Sequence, residues 1–343
     1  MNEENKQRKK DPNWRDDEFA RLEVFAQFWQ LSPLIVFAVI AVLAWFFLPL
    51  FAKVKSMANS KTVIVYTSQD QVYAEPILKE FEQQTGIKVQ AVYDSEAVKT
   101  VGLANRLLAE RNRPQCDVFW NNEELRTRQL AAQNVFRETN DWDSAGIRTR
   151  QLVINTNLLS HAQAPKNLTE LTNITWRGKV ALAYPLFGTT ASHFLVLRQR
   201  WGDAHWQAWC RALQANQPFL VDGNSVVVKL VGRGEAWVGL TDSDDVRAAQ
   251  REGLPVAGMD LKEEGLNILN TIAIVRSAPH PLAAQRLFKY LLTSEVFLKL
   301  KAAGAVENYA TRTAKLDSAD VNWDLLLREL DATTAMLKGI FLR

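Results

Sequence analysis

The chain has 343 residues, 47% of them hydrophobic, which is enough for two domains with real cores. Its 41 Lys and Arg against 38 Asp and Glu leave a net charge of +3, and no basic stripe with interleaved aromatics is present, so nucleic acid is excluded as a partner. Cys116 and Cys210 lie too far apart in sequence to suggest a disulfide framework or a cysteine-paired metal site, and read as small buried hydrophobes.

In chain order, the first feature is 32–52, SPLIVFAVIAVLAWFFLPLFA, which carries no charge. A run of about 20 apolar residues is long enough to cross a bilayer as a helix. Trp29, Trp45, Phe46 and Phe47 place aromatics near its ends, as membrane interfaces favour. Residues 1–31 hold six Lys or Arg, against Lys53, Lys55 and Lys61 just after the run. The positive-inside rule then predicts a cytoplasmic tail over 1–31, a retained transmembrane signal anchor over 32–52, and everything after 53 outside, which in a bacterial chain would be the periplasmic side of the inner membrane. The alternative is a signal peptide cleaved after Ser56-Met57-Ala58.

From Lys61 onward strands alternate with helices. KTVIVYT (61–67) is a β-branched apolar strand, and the helix after it stops at Gly86. KVQAVYD (88–94) and CDVFWN (116–121) are the next strands, each followed by a helical segment. The stretch around 136–150 reads as irregular, and RQLVINTNLL (150–159) as a strand passing between lobes. KVALAYP (179–185), PFLVD (218–222) and EAWVGL (235–240) repeat the alternation, and GLNILNTIAIV (265–275) adds a last strand before the C-terminal helices. Such spacing predicts an α/β fold with parallel sheets covered on both faces. Two lobes fit the length: 61–152 with 270–343 as lobe 1, and 153–269 as lobe 2.

Ligands of open parallel sheets gather at the carboxyl ends of the strands. Reading those ends gives a candidate site: Ser68 and Asp70; Asn122 and Glu123; Gly188, Thr189 and Thr190; Asp222, Asn224 and Ser225; Asp242, Asp244 and Asp245. Ser, Thr, Asn and Asp are also the favoured helix caps, so Thr189, Asn224 and Ser225 are equally readable as caps, and Asp242 as the cap of a helix starting near Asp244. Capping accounts for one or two carboxylates at VGLTDSDD and less well for three. Gathered in one cleft, Asp70, Glu123, Asp242, Asp244 and Asp245 would offer the oxygen donors a hard metal cation takes, or would hold a ligand amine. Carboxylates brought together repel unless a cation joins them.

Enzymatic signatures are absent: there is no GxSxG, GxxxxGK[ST], HExxH, GxGxxG or CxxC. His193, one turn into the helix after GTTA, is a weak ligand candidate. Trp201, Trp206 and Trp209 fall on helical spacing and read as core. The expectation is a binding protein rather than an enzyme, with an anchored hydrolase or lyase, or a ligand sensor, as the rival classes.

Several long segments, in order, resemble the bacterial extracellular solute-binding proteins of the ferric-iron type. They are VIVYTSQDQVYAEPILKEFEQQTGIKV, DVFWNNEELRTRQL, WRGKVALAYPLFGTTAS, DGNSVVVKLVGRGEAWVGLTDSDD and NTIAIVRSAPHPLAAQRLFKYLLTSEV, spanning roughly 61–305. The resemblance implies a two-lobed periplasmic-binding-protein fold of type 2, preceded here by the N-terminal transmembrane helix, with the ligand cleft between the lobes. It implies a monomer that captures a small solute, iron(III) or another metal cation first, and delivers it to ABC permease and ATPase subunits. Where ferric-binding relatives carry a ligating tyrosine pair, this chain has Asp244 and Asp245. A histidine ligand of some relatives is replaced at or near Asp70, and an acidic ligand has its counterpart in Asn122 or Glu123. The helix start that holds an anion is similar to Gly188, Thr189, Thr190 and Ala191. Carboxylates are less selective than phenolates, so an organic cation or zwitterion (thiamine, a polyamine, aminoethylphosphonate) is the alternative solute.

Overall fold

The computed structural model describes residues 39–45, 47, 61–94, 101–138, 142–312 and 321–342. The chain forms two compact units, Met1–Asn59 and Ser60–Arg343. Within the first, 39–45 and 47 are helical. Among the described residues no helix is long and apolar enough to cross a membrane, which overturns the expected single-pass anchoring in an inner membrane. The rest of 32–52, the 1–31 tail and the Ser56-Met57-Ala58 site lie outside the described residues.

The second unit is a two-lobed α/β fold. In lobe 1, β1 (Thr62–Thr67) pairs in parallel with β2 (Lys88–Tyr93) and β3 (Val118–Asn121). Helices α1 (Gln71–Thr85), α2 (Val101–Ala109) and α3 (Glu124–Ala132) connect and follow them. α1 ends as expected at Gly86, whose φ of 66° is the left-handed conformation a C-cap glycine adopts, with its N–H on the Glu82 carbonyl.

The chain then enters β4 (Trp142–Asn155), which starts well before the expected crossing strand at 150. WDSAGIRT lacks a clean alternation because Gly146 sits at a β-bulge, with φ 150° and the segment at Val306 and Asn308 packed where a Cβ would stand. Lobe 2 follows with β5 (Val180–Ala183), α4 (Gly188–Trp201), α5 (Asp203–Ala215), β6 (Phe219–Val221), α6 (Asn224–Gly232), β7 (Val238–Asp242), α7 (Ser243–Arg251) and β8 (Val256–Asp260). Strand β9 (Asn267–Ile274) returns to lobe 1, followed by α8 (Pro281–Leu291), α9 (Ser294–Ala303) and α10 (Trp323–Phe341).

The sheet order is β2-β1-β3-β9-β4-β7-β5-β6, with β8 also on β4. β4 pairs with β9 through Thr149 and with β7 from Arg150 onward, so one strand changes lobes between two consecutive residues. Each lobe buries both sheet faces. Val63, Val65, Phe81 and Leu287 pack on one side of the lobe 1 sheet and Leu107, Phe119, Leu130 and Phe136 on the other. Leu152, Leu182, Phe194, Trp206 and Trp209 fill one side of lobe 2, and Val153, Val227 and Val231 the other. The tryptophans at 206 and 209 are thus core, as their spacing implied. A further cluster joins Leu125 of α3, Leu195 and Val196 of α4, and Leu326 and Leu330 of α10.

Candidate functional site

Strand ends from both lobes converge on one cavity of ≈ 40 Å³. Its wall takes Asp70 from the β1–α1 loop, Asn122 after β3, and Gly188, Thr189 and Thr190 at the start of α4. Asp222 comes from the β6–α6 loop, Asn224 and Ser225 from the first turn of α6, and Asp242, Asp244 and Asp245 from the end of β7 and first turn of α7. Of the residues read from strand ends, only Ser68 and Glu123 do not line it. Ser68 is buried behind it, accepting the Asn122 N–H at 3.0 Å and so fixing the end of β3.

Glu123 is spent locally. It is the N-cap of α3, accepting the Leu125 and Arg126 N–H groups at 2.6 and 3.0 Å, and it accepts the Ser192 hydroxyl of α4 at 3.1 Å. Burial raises its pKa against those donors and Arg126. The geometry therefore makes Glu123 a cap and a lobe-to-lobe contact rather than a wall of the cavity.

Asp242 does the reverse. It stands at the N-cap position of α7 and makes no side-chain cap hydrogen bond, so the capping explanation for it fails. Its carboxylate is instead gripped by two arginines of β4. Arg150 Nη1 lies 2.7 Å from Oδ1 and Arg148 Nη2 3.3 Å from Oδ2. Thr189 Oγ1 donates to Oδ2 at 2.7 Å and Asn224 Nδ2 at 3.2 Å. Burial pushes the Asp242 pKa up, but Arg150 and Arg148 outweigh it and hold the group below the usual carboxylate range. Arg148 Nη1 also reaches Asp244 Oδ2 at 3.2 Å. Burial opposes charge on Arg148, yet Asp244, Asp242, Asp245 and Asp70 together keep it charged and raise its pKa.

Thr189 and Asn224, two of the three positions read as possible caps, are thus drawn into the same network, and Thr190 joins them. Thr190 Oγ1 donates to Asn224 Oδ1 at 3.2 Å, and Arg150 Nη1 donates to that oxygen at 3.1 Å. Among the described residues, Asp242, Asp244 and Asp245 present ligand atoms within 4.8 Å of one another. Asp245 is half-buried and accepts the Thr241 hydroxyl at 3.2 Å. Asp70 stands at the N-cap of α1 without a side-chain cap hydrogen bond.

His193 does not reach the cavity. Its Nε2 lies 2.6 Å from the Glu264 carbonyl, and burial, with Arg150 nearby, lowers its pKa to about 3, so the ring is neutral and donates there. Trp120 is likewise structural, its indole N–H on Asn270 Oδ1 at 2.7 Å.

The residues missed from sequence are Arg148 and Arg150, 4% and 1% exposed. A signal was present: R-T-R at alternate positions of a strand sets both guanidiniums on one face. Starting the strand at 150 left Arg150 at its edge and Arg148 outside it.

A family model described as bacterial extracellular solute-binding protein matches residues 62–305. The major ferric iron-binding protein of Neisseria meningitidis is 24% identical over 209 residues, 55% of this chain and 61% of that protein. The Fe(3+)-binding periplasmic protein of Serratia marcescens is 26% identical over 194 residues, 52% and 56% of the two chains. These matches therefore cover less than two thirds of the curated relatives' own length. Among solved structures, iron-bound HitA from Pseudomonas aeruginosa superposes with a TM-score of 0.70 at 20% identity, over 81% of this chain and 99% of that one. The periplasmic binding protein AfuA from Actinobacillus pleuropneumoniae, with fructose-6-phosphate bound, gives 0.70 at 19% identity over 82% and 99%. At these identities the likeness establishes the fold.

Proposed function

The chain belongs to the bacterial extracellular solute-binding proteins, and from that membership we propose that it is the substrate-binding component of an ABC-type importer whose solute is iron(III) or another metal cation. The observation that carries the reading is the charge of one small cavity. Asp70, Asp222, Asp242, Asp244 and Asp245 line it against one lining guanidinium among the described residues, that of Arg148, with Arg150 behind Asp242. A wall with that excess of carboxylate is completed by a cation, and all-oxygen donors suit a hard one. The ferric-binding names of the curated relatives support the same solute class. A volume of ≈ 40 Å³ is far below the roughly 300 Å³ at which pockets for drug-sized organic molecules begin, so the cavity as it stands suits an ion and a few waters better than a sugar phosphate. Capture, without turnover, would be followed by delivery to a permease and its ATPase.

A second reading has its own observation. The Nε atoms of Arg148 and Arg150 are buried with no hydrogen-bond partner among the described residues. Arg148 lines the cavity together with the first turn of α4, whose backbone N–H groups suit an anionic group, supporting a zwitterion or organic cation with an acidic group.

A thermal-shift titration of the full chain separates the two. Fe(III) citrate, Mn²⁺, Ca²⁺, thiamine, spermidine and 2-aminoethylphosphonate are each added. Fe(III) should raise the midpoint by the equivalent of about 2.7 kcal/mol at a hundredfold excess over Kd. A shift from 2-aminoethylphosphonate or thiamine with none from any metal would discard the metal and keep the transport role.

A further inference from the structure

Helix α7 carries Asp244 and Asp245 in its first turn, and one face of the same helix is tied to lobe 1 exactly where β4 changes sheets. Thr149 is the last β4 residue paired with β9, and Arg150 the first paired with β7. The Thr149 N–H donates to Ser243 Oγ at 3.2 Å. Arg247, one turn further along α7, donates from Nη2 to the same Ser243 Oγ at 3.3 Å and from Nη1 to Glu307 Oε1 at 2.9 Å. The Thr149 hydroxyl closes the ring on Glu307 Oε2 at 3.2 Å. Glu307 is itself fixed to the lobe 1 half of β4, its N–H on the Ile147 carbonyl at 2.7 Å, and Arg247 Nε donates to the Gly304 carbonyl of the same segment. At the far end of α7, Arg251 Nη2 meets the Tyr73 hydroxyl of α1 at 3.3 Å.

We propose that the Thr149–Ser243–Arg247–Glu307 ring is a hinge brace, in which Arg247 and Glu307 act as positioning residues that set the angle of α7 to lobe 1. They touch no solute. The lobes cannot rotate about the Thr149–Arg150 junction without stretching a ring whose members come from both sides of it, and any such rotation swings Asp244 and Asp245 relative to Asp70. Occupancy of the cavity and the angle between the lobes are thereby one equilibrium. The two side chains are only 34% and 23% exposed, so their pairing is partly shielded from screening. The inference rests on the binding-protein reading but not on which solute is bound.

The test uses the full chain with spin labels at Lys88→Cys in lobe 1 and Glu235→Cys in lobe 2. Both positions are exposed, whereas the native Cys116 and Cys210 are buried. The solute-free parent should give one narrow interlabel distance. Glu307→Gln and Arg247→Gln should each broaden and lengthen it with the fold retained by circular dichroism, and the charge-swapped pair Arg247→Glu with Glu307→Arg should narrow it again. Dissociation of Fe(III), supplied as citrate, should quicken about tenfold in either single variant, the size expected for one coupled pair. Unchanged distances in both single variants overturn the brace, as does a change in one variant alone. If Fe(III) binds none of the proteins, the proposed solute fails, while the distance measurement still decides the brace.

Discussion

The starts of α3 and α7 both bring acidic side chains to a helix N-terminus beside the same cavity, and they use them in opposite ways. At α3, Glu123 turns back on its own helix, so its charge is consumed by backbone N–H groups. At α7, Asp242 makes no cap bond and is held by Arg148 and Arg150 across the sheet, while Asp244 and Asp245 follow on the cavity wall. The difference lies in what stands opposite. No basic side chain of β4 is paired with Glu123, whereas Arg150 is the direct cross-strand partner of Asp242. An acidic residue at a helix start is thus a cap or a site residue according to its strand neighbour, and composition of the loop alone does not decide which.

The largest effect should come from breaking the α7 side. Arg150→Ala leaves Asp242 buried beside one remaining arginine, and should cost about 3–5 kcal/mol in urea unfolding. A loss under 1 kcal/mol would show that the buried pair is not what holds the strand end.

The pH response should differ in sign between the two helix starts. Glu124, next to Glu123, has its pKa raised from 4.5 to about 7 by burial, which outweighs the Arg128 partner 2.9 Å away. A carboxyl with a raised folded pKa binds more protons folded than unfolded. Its contribution is present below pH 4.5 and lost as pH rises through about 7, by up to about 3 kcal/mol. Asp242, with a lowered folded pKa, contributes above its unfolded pKa and loses that contribution as pH falls through the folded value. The parent's urea midpoint should decline between pH 5 and 7, and Glu124→Gln should lose that decline; an identical slope in both would remove Glu124 as its source.

On the α3 side, Glu123→Ala removes a cap and should cost about 1–2 kcal/mol. If the same change left stability alone, the capping assignment would be wrong.

The smallest stability effect belongs to Asp245→Asn. The residue is half-buried and accepts the Thr241 hydroxyl, and Asp242 and Asp244 stay paired with Arg148 when it is changed, so its midpoint should stay within about 0.5 kcal/mol of the parent. A larger loss would make Asp245 part of the framework rather than of the wall.

The strands of parallel type, β1, β3, β5 and β7, were legible because each is a short apolar run closed by polar residues, and the strand-end rule then located most of the cavity wall. β8 was not legible. VAGMD has no alternation, and Gly258 leaves room for the Gln151 side-chain amide, which a Cβ there would meet at 2.7 Å. The front half of β4 was hidden by its bulge and by its charges, which is also why both arginines escaped notice. Local pattern reports burial of apolar side chains well. It reports poorly a buried charge whose partner is 92 residues away, as Asp242 is from Arg150.

The most direct test of the division between the two helix starts is an Fe(III) citrate titration of Asp245→Asn and Glu123→Gln beside the parent full chain. The expected result is binding weakened at least about tenfold in Asp245→Asn, one charge contact's worth, and unchanged within twofold in Glu123→Gln. Parent-like affinity in Asp245→Asn together with lost binding in Glu123→Gln would place the solute on the α3 side and contradict the assignment.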